Sequence, residues 1–144
     1  MQEILKERLY SYLVDNRVDL FLDLQHQGEL EQYLSSRVSA IAPQIREMQE
    51  SGHPDLYIEE YCMDALTREL RPSPFLYLFR LLEEEFEEDF HRMREDGILT
   101  YELINILGCC RDIFERNAFS EETEEDRHLR YEITGAVGDY LSGL

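Results

Sequence analysis

The stretch ALTRELRPSPFLYLFRLLEEEFEEDF, residues 65–90, contains the features that decide the fold. Pro72 and Pro74 lack an amide hydrogen and disfavour helical backbone in the residue before each of them, so the chain must turn between two helices here. Ser73 then suits an N-cap, with Pro74 at the first helical position. Beyond this turn, apolar residues recur at intervals of three and four, which predicts one continuous helix. Its predicted buried face consists of Phe75, Leu78, Phe79, Leu82 and Phe86.

The same helical spacing recurs on both sides of this stretch. Predicted helices cover residues 4–15, 30–50 and 53–70 before the turn, and residues 99–116 and 129–141 after it. Pro43 predicts a kink near residues 39–43 of the second of these helices, and Gly52 suits a left-handed C-cap at its end. Residues 17–27 show no clean period and are assigned to a buried connector or a short extra turn. Gly135 and Gly138 would weaken the last helix, which suggests a close helix crossing there.

No alternation of period two persists, and no repeat of 20 to 50 residues is visible. The predicted fold is therefore all-α, an irregular bundle of five or six helices that forms a single domain over residues 1–144, with more than 60% helix. A chain of this length can bury a core without disulfides or metals.

Composition restricts the class of partner. The formal charge is -18, from 32 acidic and 14 basic residues, and Lys6 is the only lysine. Such a field repels phosphate backbones, so no direct binding to nucleic acid is expected. The three cysteines (Cys62, Cys109 and Cys110) form no CxxC pair, and the chain begins with the polar stretch MQEILKER. We therefore expect reduced thiols, a cytoplasmic location and no membrane segment.

The acidic run of residues 83–89 is the most unusual local feature. Six acids, interrupted only by Phe86, extend along one predicted helix towards its negative end, where acids are unfavourable. Pairing of Arg80 with Glu84 and of Glu88 with Arg92 would offset only part of the repulsion. The run is either a solvated face or a surface that recognises a basic partner. The candidate contact residues are Glu83, Glu84, Glu87, Glu88 and Asp89.

Two E-x-x-H motifs suggest a metal site as an alternative to partner binding. Glu88 with His91, and Glu125 with His128, have the spacing by which helical bundles supply ligands to di-iron or di-manganese sites. Because 22 of the 144 residues are glutamate, chance accounts for most of this signal. Both motifs are also expected on polar faces, whereas metal ligands would have to point inward. We therefore expect no metal ligands, with these four residues kept as the alternative.

No motif indicates an enzyme with a phosphate-binding loop or a nucleophile elbow. Cys109 and Cys110 point about 100° apart on a helix, so core packing of Cys110 is favoured over redox chemistry. A non-enzymatic protein without a cofactor is therefore the favoured interpretation.

The order of the segments LKERLYSYL, ELRPSPFLYLFRLLEEEFE, CCRDIFERNAFSEE and YEITGAVGDYL resembles the family of domain of unknown function 1896. The resemblance covers residues 4–141 and implies a small, acidic, all-helical bacterial protein, often encoded on a conjugative element. It implies no activity and no catalytic residues. We therefore expect an interaction module, an accessory protein of a mobile element, that binds a basic protein through its acidic helix face.

Two other functions stay open, a di-metal carboxylate enzyme and an acidic mimic of nucleic acid that occupies a DNA-binding protein. Self-association as a homodimer is also expected to be possible, with Tyr77 and Tyr101 as candidates for the interface.

Overall fold

The computed structural model describes residues 1–144 and contains nine α-helices, one 3-10 turn and no strand. Helix accounts for 80% of the chain, so the all-α class and the predicted helix content are confirmed. The predicted number of five or six helices is too low. None of the nine combines the length and the apolar character that a bilayer-spanning helix needs.

The expected domain of residues 1–144 contains two compact units, Met1–Arg71 and Pro72–Leu144. The helices of the first unit are α1 (Gln2–Asn16), α2 (Val18–His26), α3 (Leu30–Ala40), α4 (Ala42–Glu50) and α5 (Asp55–Thr67), followed by the 3-10 turn Arg68–Leu70. Those of the second unit are α6 (Pro74–Glu85), α7 (Glu87–Glu95), α8 (Leu99–Arg116) and α9 (Arg127–Ser142).

The core of the first unit forms around α1, which packs against α2, α3 and α5. Leu5, Leu9 and Leu13 lie four residues apart on one face of α1, and all three are fully buried. From α5, Ile58 and Cys62 complete this core. An apolar stripe of this kind supplies most of the stability of a surface helix.

In the second unit α8 takes the central place and packs against α6, α7 and α9. Ile106 and Cys110 of α8 are fully buried, as are Leu82, Phe90 and Ile133 of the neighbouring helices. The predicted burial of Leu78 and Leu82 is therefore confirmed, but Phe86 is only partly buried.

The turn at residues 71–74 forms as predicted. Arg71 and Ser73 have extended backbone, and the Ser73 hydroxyl accepts a hydrogen bond from the amide of Leu76 (3.1 Å) as the N-cap of α6. Pro74 occupies the first turn of the helix. Gly52 has a φ of +81°, which fits its predicted role at the end of α4.

Three segments explain the additional helices. Residues 18–26, assigned to a connector or a short turn, form α2. At the predicted kink, Ile41 separates α3 from α4, with Pro43 in the first turn of α4, so the bend is a complete break. The predicted continuous helix through residues 74–90 is also broken, at Phe86.

The two units have the same order of elements in their first halves. Adding 69 to a residue number of the first unit gives its counterpart in the second, so that α2 (Val18–His26) corresponds to α7 (Glu87–Glu95). The single residue before each of these helices has nearly the same conformation, with φ -130° and ψ 59° at Arg17, and φ -133° and ψ 52° at Phe86. Each helix is followed by a left-handed glycine, Gly28 or Gly97.

Side-chain packing repeats with the backbone. Tyr10 meets Phe21 edge to face, with ring centroids 5.4 Å apart, and their counterparts Phe79 and Phe90 do the same at 5.2 Å. The chain therefore contains a structural repeat of about 70 residues. Sequence inspection for shorter periods missed it, because the two units share the spacing of buried positions more than the identity of their residues.

Candidate functional site

The acidic run, residues 83–89, lies at the junction of α6 and α7, and we call this segment the acidic elbow. Phe86 is its only non-helical residue. The Phe86 amide donates to the carbonyl of Leu82 (2.9 Å), and the Phe86 carbonyl accepts from Phe90 (2.8 Å). Phe86 therefore takes part in the last helical hydrogen bond of α6 and the first of α7, and the helix is interrupted at this single residue.

The break changes the electrostatics expected for a continuous helix. Glu83 and Glu84 lie in the last turn of α6, at the negative end of its dipole, where acids are unfavourable. Glu87, Glu88 and Asp89 instead form the first turn of α7, where acids are favourable. The expectation that the whole run opposes the helix dipole is therefore wrong for its second half.

The elbow acids also have different partners from those predicted. Arg130 of α9 donates to Glu84 (3.0 Å) and Glu85 (2.8 Å), and these hydrogen bonds, that to Glu85 first, raise the pKa of Arg130. Arg92 pairs with Asp89 (2.7 Å). The expected pairs of Glu84 with Arg80 and of Glu88 with Arg92 are not formed.

These ion pairs leave most of the elbow charge exposed. Glu83, Glu84, Glu87 and Glu88 are exposed to solvent, and Asp89 is partly buried. Exposed ion pairs of this kind contribute at most about 1 kcal/mol each. The five candidate contact residues are thus placed on the surface and lie within two helical turns of each other.

A second acidic segment, residues 120–126, lies close to the elbow. The Thr123 hydroxyl organises its turn, because it accepts from the Ser120 amide (2.8 Å) and donates to the carbonyl of Ala118 (2.9 Å). Asp126 caps α9 by accepting from the amide of Leu129 (3.2 Å). The segment contains five acids.

Arg130 links the two acidic segments. Its amide donates to the carbonyl of Asp126 (3.1 Å), while its guanidinium reaches Glu84 and Glu85 of the elbow. The second unit has 18 acidic and 7 basic residues, a net charge of -11, and 11 of those acids belong to these two segments. The sequence analysis placed residues 120–126 between two predicted helices and missed this proximity. The signal that could have found it is the density of acids in both segments.

The E-x-x-H motifs do not pair internally. His91 lies 3.7 Å from Glu87 and also contacts Arg94. Glu88 forms no ion pair with His91. No group of three or more histidine, cysteine or acidic side chains converges in a way that could hold a metal ion.

The second motif contributes to a different contact. His128 pairs with Glu132 (2.8 Å) instead of Glu125. Glu132 also accepts hydrogen bonds from Arg116 and Asn117 at the end of α8, and these, that from Arg116 first, lower the pKa of its carboxyl group. Glu132, which lies outside the motif, therefore joins α9 to the end of α8, while His128 pairs with it within α9.

Two cysteines and a buried acid lie on α8. Cys109 is exposed, whereas Cys110 is buried, and burial raises the pKa of the Cys110 thiol to about 11. Its thiol is therefore protonated at neutral pH. Glu102 of α8 is buried and accepts a hydrogen bond from the hydroxyl of Tyr140 of α9 (2.5 Å). Nothing in the sequence indicates this pair, since Glu102 lies among apolar residues at helical spacing.

One comparison with known proteins gives a match. The family model described as "Domain of unknown function (DUF1896)" matches residues 5–142, which is nearly the whole chain. No curated protein and no solved structure matches the chain.

Proposed function

Because this chain belongs to the family described as "Domain of unknown function (DUF1896)", a description without an activity, we propose a function from the chain's own surface. The protein is a non-enzymatic interaction module that binds a basic partner protein through the acidic elbow. Glu83, Glu84, Glu87, Glu88 and Asp89 are the proposed contact residues. The proposed context is an accessory protein of a bacterial mobile element, in a reducing cytoplasm that suits its three free cysteines.

One observation carries the proposal. The first unit forms the same backbone elbow at residues 14–20, and four of the six positions that are acidic in the second unit are uncharged there. The elbow therefore does not require the acids in order to fold. Charges that local folding does not need, on an exposed surface, are available for recognition.

Electrostatics support the same interpretation. Most of the basic residues already pair within the chain, as Arg8, Arg37 and Arg71 do in the first unit and Arg130 does in the second. The uncompensated charge is consequently almost all negative. Such a field attracts a basic surface over roughly 10 Å at moderate salt and accelerates its association.

The test compares two variants with matched changes in charge. The elbow variant carries Glu84→Gln, Glu87→Gln and Glu88→Gln. The control variant carries Glu29→Gln, Glu47→Gln and Glu50→Gln, three exposed acids of the first unit that form no ion pair. Both variants lose three negative charges. The elbow variant also loses the ion pair of Arg130 with Glu84, but Arg130 keeps its partner Glu85.

Each protein is immobilised and exposed to host lysate at 50 mM NaCl, and the retained proteins are identified after elution at 500 mM. We expect the wild type and the control variant to retain the same basic protein, and the elbow variant to lose it. Competition by duplex DNA would then show whether that partner is a DNA-binding protein, as the nucleic-acid mimic would require. Unchanged retention by the elbow variant would contradict the proposed contact surface.

A further inference from the structure

The exposed face of α5 contains a stripe of aromatic and apolar side chains. Leu56 is 71% exposed, Tyr57 53% and Tyr61 45%. His53, just before the helix, stacks on Tyr57 with ring centroids 5.1 Å apart. We call the six residues on this face the α5 stripe: His53, Leu56, Tyr57, Glu60, Tyr61 and Asp64. Exposed tyrosines grouped in this way are typical of protein interfaces.

The acids of the α5 stripe are compensated by neighbouring bases. Arg8 donates to Glu60 (2.9 Å), and Asp64 accepts from Arg71 (2.8 Å) and Arg68 (3.2 Å). These arginines lower the pKa of the Asp64 carboxyl group. In a chain with a net charge of -18, this patch is therefore one where a second negatively charged surface can approach without meeting uncompensated acids.

The stripe is also symmetric along the helix. A two-fold axis midway between residues 58 and 59 pairs each position with another member of the stripe in an antiparallel helix. Tyr57 then faces Glu60 of the second copy and His53 faces Asp64 near the centre of the seam, while Leu56 and Tyr61 flank the seam on opposite sides. Both central pairs are complementary, because a hydroxyl meets a carboxylate and an imidazole meets an acid.

We infer that the α5 stripe is a self-interface, across which two copies of this chain form an antiparallel two-fold dimer. An isologous interface requires a self-complementary surface, and the stripe meets that condition. This assignment replaces Tyr77 in the expected self-interface, since the ring of Tyr77 packs against Phe114 and Phe119. It is independent of the proposed role of the acidic elbow.

The dimer is expected to be weak. A single helix face buries less than the roughly 800 Å² per partner of a standard interface. The net charges of the two copies also repel each other, and salt screens that repulsion. Added salt should therefore strengthen the dimer, whereas it should weaken binding of a basic partner at the elbow.

Sedimentation equilibrium of the full chain tests the inference. Between 5 µM and 1 mM in 500 mM NaCl, we expect the mass to rise from 17.2 kDa towards twice that value, with a smaller rise in 50 mM NaCl. Leu56→Gln combined with Tyr61→Ser should keep the chain monomeric. Tyr101→Ser, at a side chain that is 66% exposed on α8, should leave the dimer unchanged. A monomer at every concentration, or a dimer that the double variant retains, would overturn the inference.

Disulfide trapping tests the antiparallel register, in a Cys109→Ser background that removes the exposed thiol. Tagged His53→Cys chains are mixed with untagged Asp64→Cys chains and oxidised. The mixed disulfide dimer should exceed both like-with-like dimers, because residues 53 and 64 face each other. Two copies of residue 64 would lie about 16 Å apart along the axis, too far for a disulfide bridge. A predominance of like-with-like dimers would overturn the proposed register.

Discussion

The two glycines of α9 test a prediction that was made from residue type alone. Gly135 and Gly138 were expected to mark a close helix crossing. A Cβ atom added at Gly135 would have no neighbour within 4 Å, and one at Gly138 would lie 3.7 Å from the ring of Phe86, an ordinary contact distance. The close crossing is therefore wrong at Gly135, where the glycine weakens α9 without a packing reason.

Gly135→Ala should accordingly stabilise the protein by about 0.5–1 kcal/mol, because alanine has the higher helix propensity and restricts the unfolded chain. Urea denaturation followed by circular dichroism measures this. Gly97→Ala is the matched control and should destabilise the protein, since the φ of +74° at Gly97 is strained for any residue with a Cβ. A loss of stability in Gly135→Ala would indicate a packing role that the structure does not show.

The Tyr140–Glu102 hydrogen bond predicts a dependence of stability on pH. Burial, and then the hydrogen bond to Glu102, raise the pKa of Tyr140 to about 12, from an ordinary value near 10. Because the folded pKa is the higher one, this contribution is complete below about pH 10 and is lost as the pH rises towards 12.

Comparison of the wild type with Tyr140→Phe isolates that contribution from the other tyrosines. The wild type should have the larger free energy of unfolding at pH 8.5, and its advantage should shrink at pH 11. Guanidinium denaturation at the two pH values measures the difference in unfolding free energy between the two proteins. A difference that is the same at both pH values would show that the pKa of the Tyr140 hydroxyl does not change on folding.

At the scale of the helices, local chemistry explains which breaks were predictable. Pro43 and the prolines at residues 72 and 74 act through their own backbone, so a bend near residues 39–43 and the turn before α6 followed from the sequence, although the bend is a complete break. Phe86 has no such local signal. Its ring lies beside Gly138 of α9, 52 positions further along the chain, where an added Cβ atom would be 3.7 Å from it. The break at Phe86 therefore could not be predicted from helical periodicity alone.

The break revises the expected contribution of Phe86 to stability. On a continuous helix Phe86→Ala would remove a core side chain, at a cost of about 3–5 kcal/mol. Because Phe86 is only partly buried, we now expect a loss of roughly 1–2 kcal/mol. Phe90→Ala is the comparison, since Phe90 is fully buried and should show the larger loss. Urea denaturation of both variants decides this, and equal losses would contradict the placement of Phe86.

At the scale of the molecule, the sequence predicted the surface of the candidate site better than its arrangement. The exposure of the elbow glutamates followed from their charge. The proximity of residues 120–126 and the choice of Arg130 as a partner depend on contacts between helices that are distant in the chain. The histidines of the E-x-x-H motifs likewise pair with glutamates outside their motifs, which the three-residue spacing alone did not predict.

The structural repeat allows the charges of the two elbows to be compared position by position. The two elbows differ mainly in charge, since residues 14–20 have few acids and residues 83–89 have six. The first unit has 14 acidic and 7 basic residues, a net charge of -7 compared with -11 for the second. Negative charge is thus concentrated at the elbow of the second unit.

We expect the acidic elbow to attract its basic partner electrostatically, so the decisive measurement is the association rate constant of that partner as a function of salt. Stopped-flow or surface-based kinetics would use the protein retained in the lysate experiment, between 50 and 500 mM NaCl. The wild type and the variant with Glu29→Gln, Glu47→Gln and Glu50→Gln should show a steep fall of this rate constant with salt. The variant with Glu84→Gln, Glu87→Gln and Glu88→Gln should associate more slowly and with a shallower dependence. Identical salt dependence in all three proteins would contradict the account.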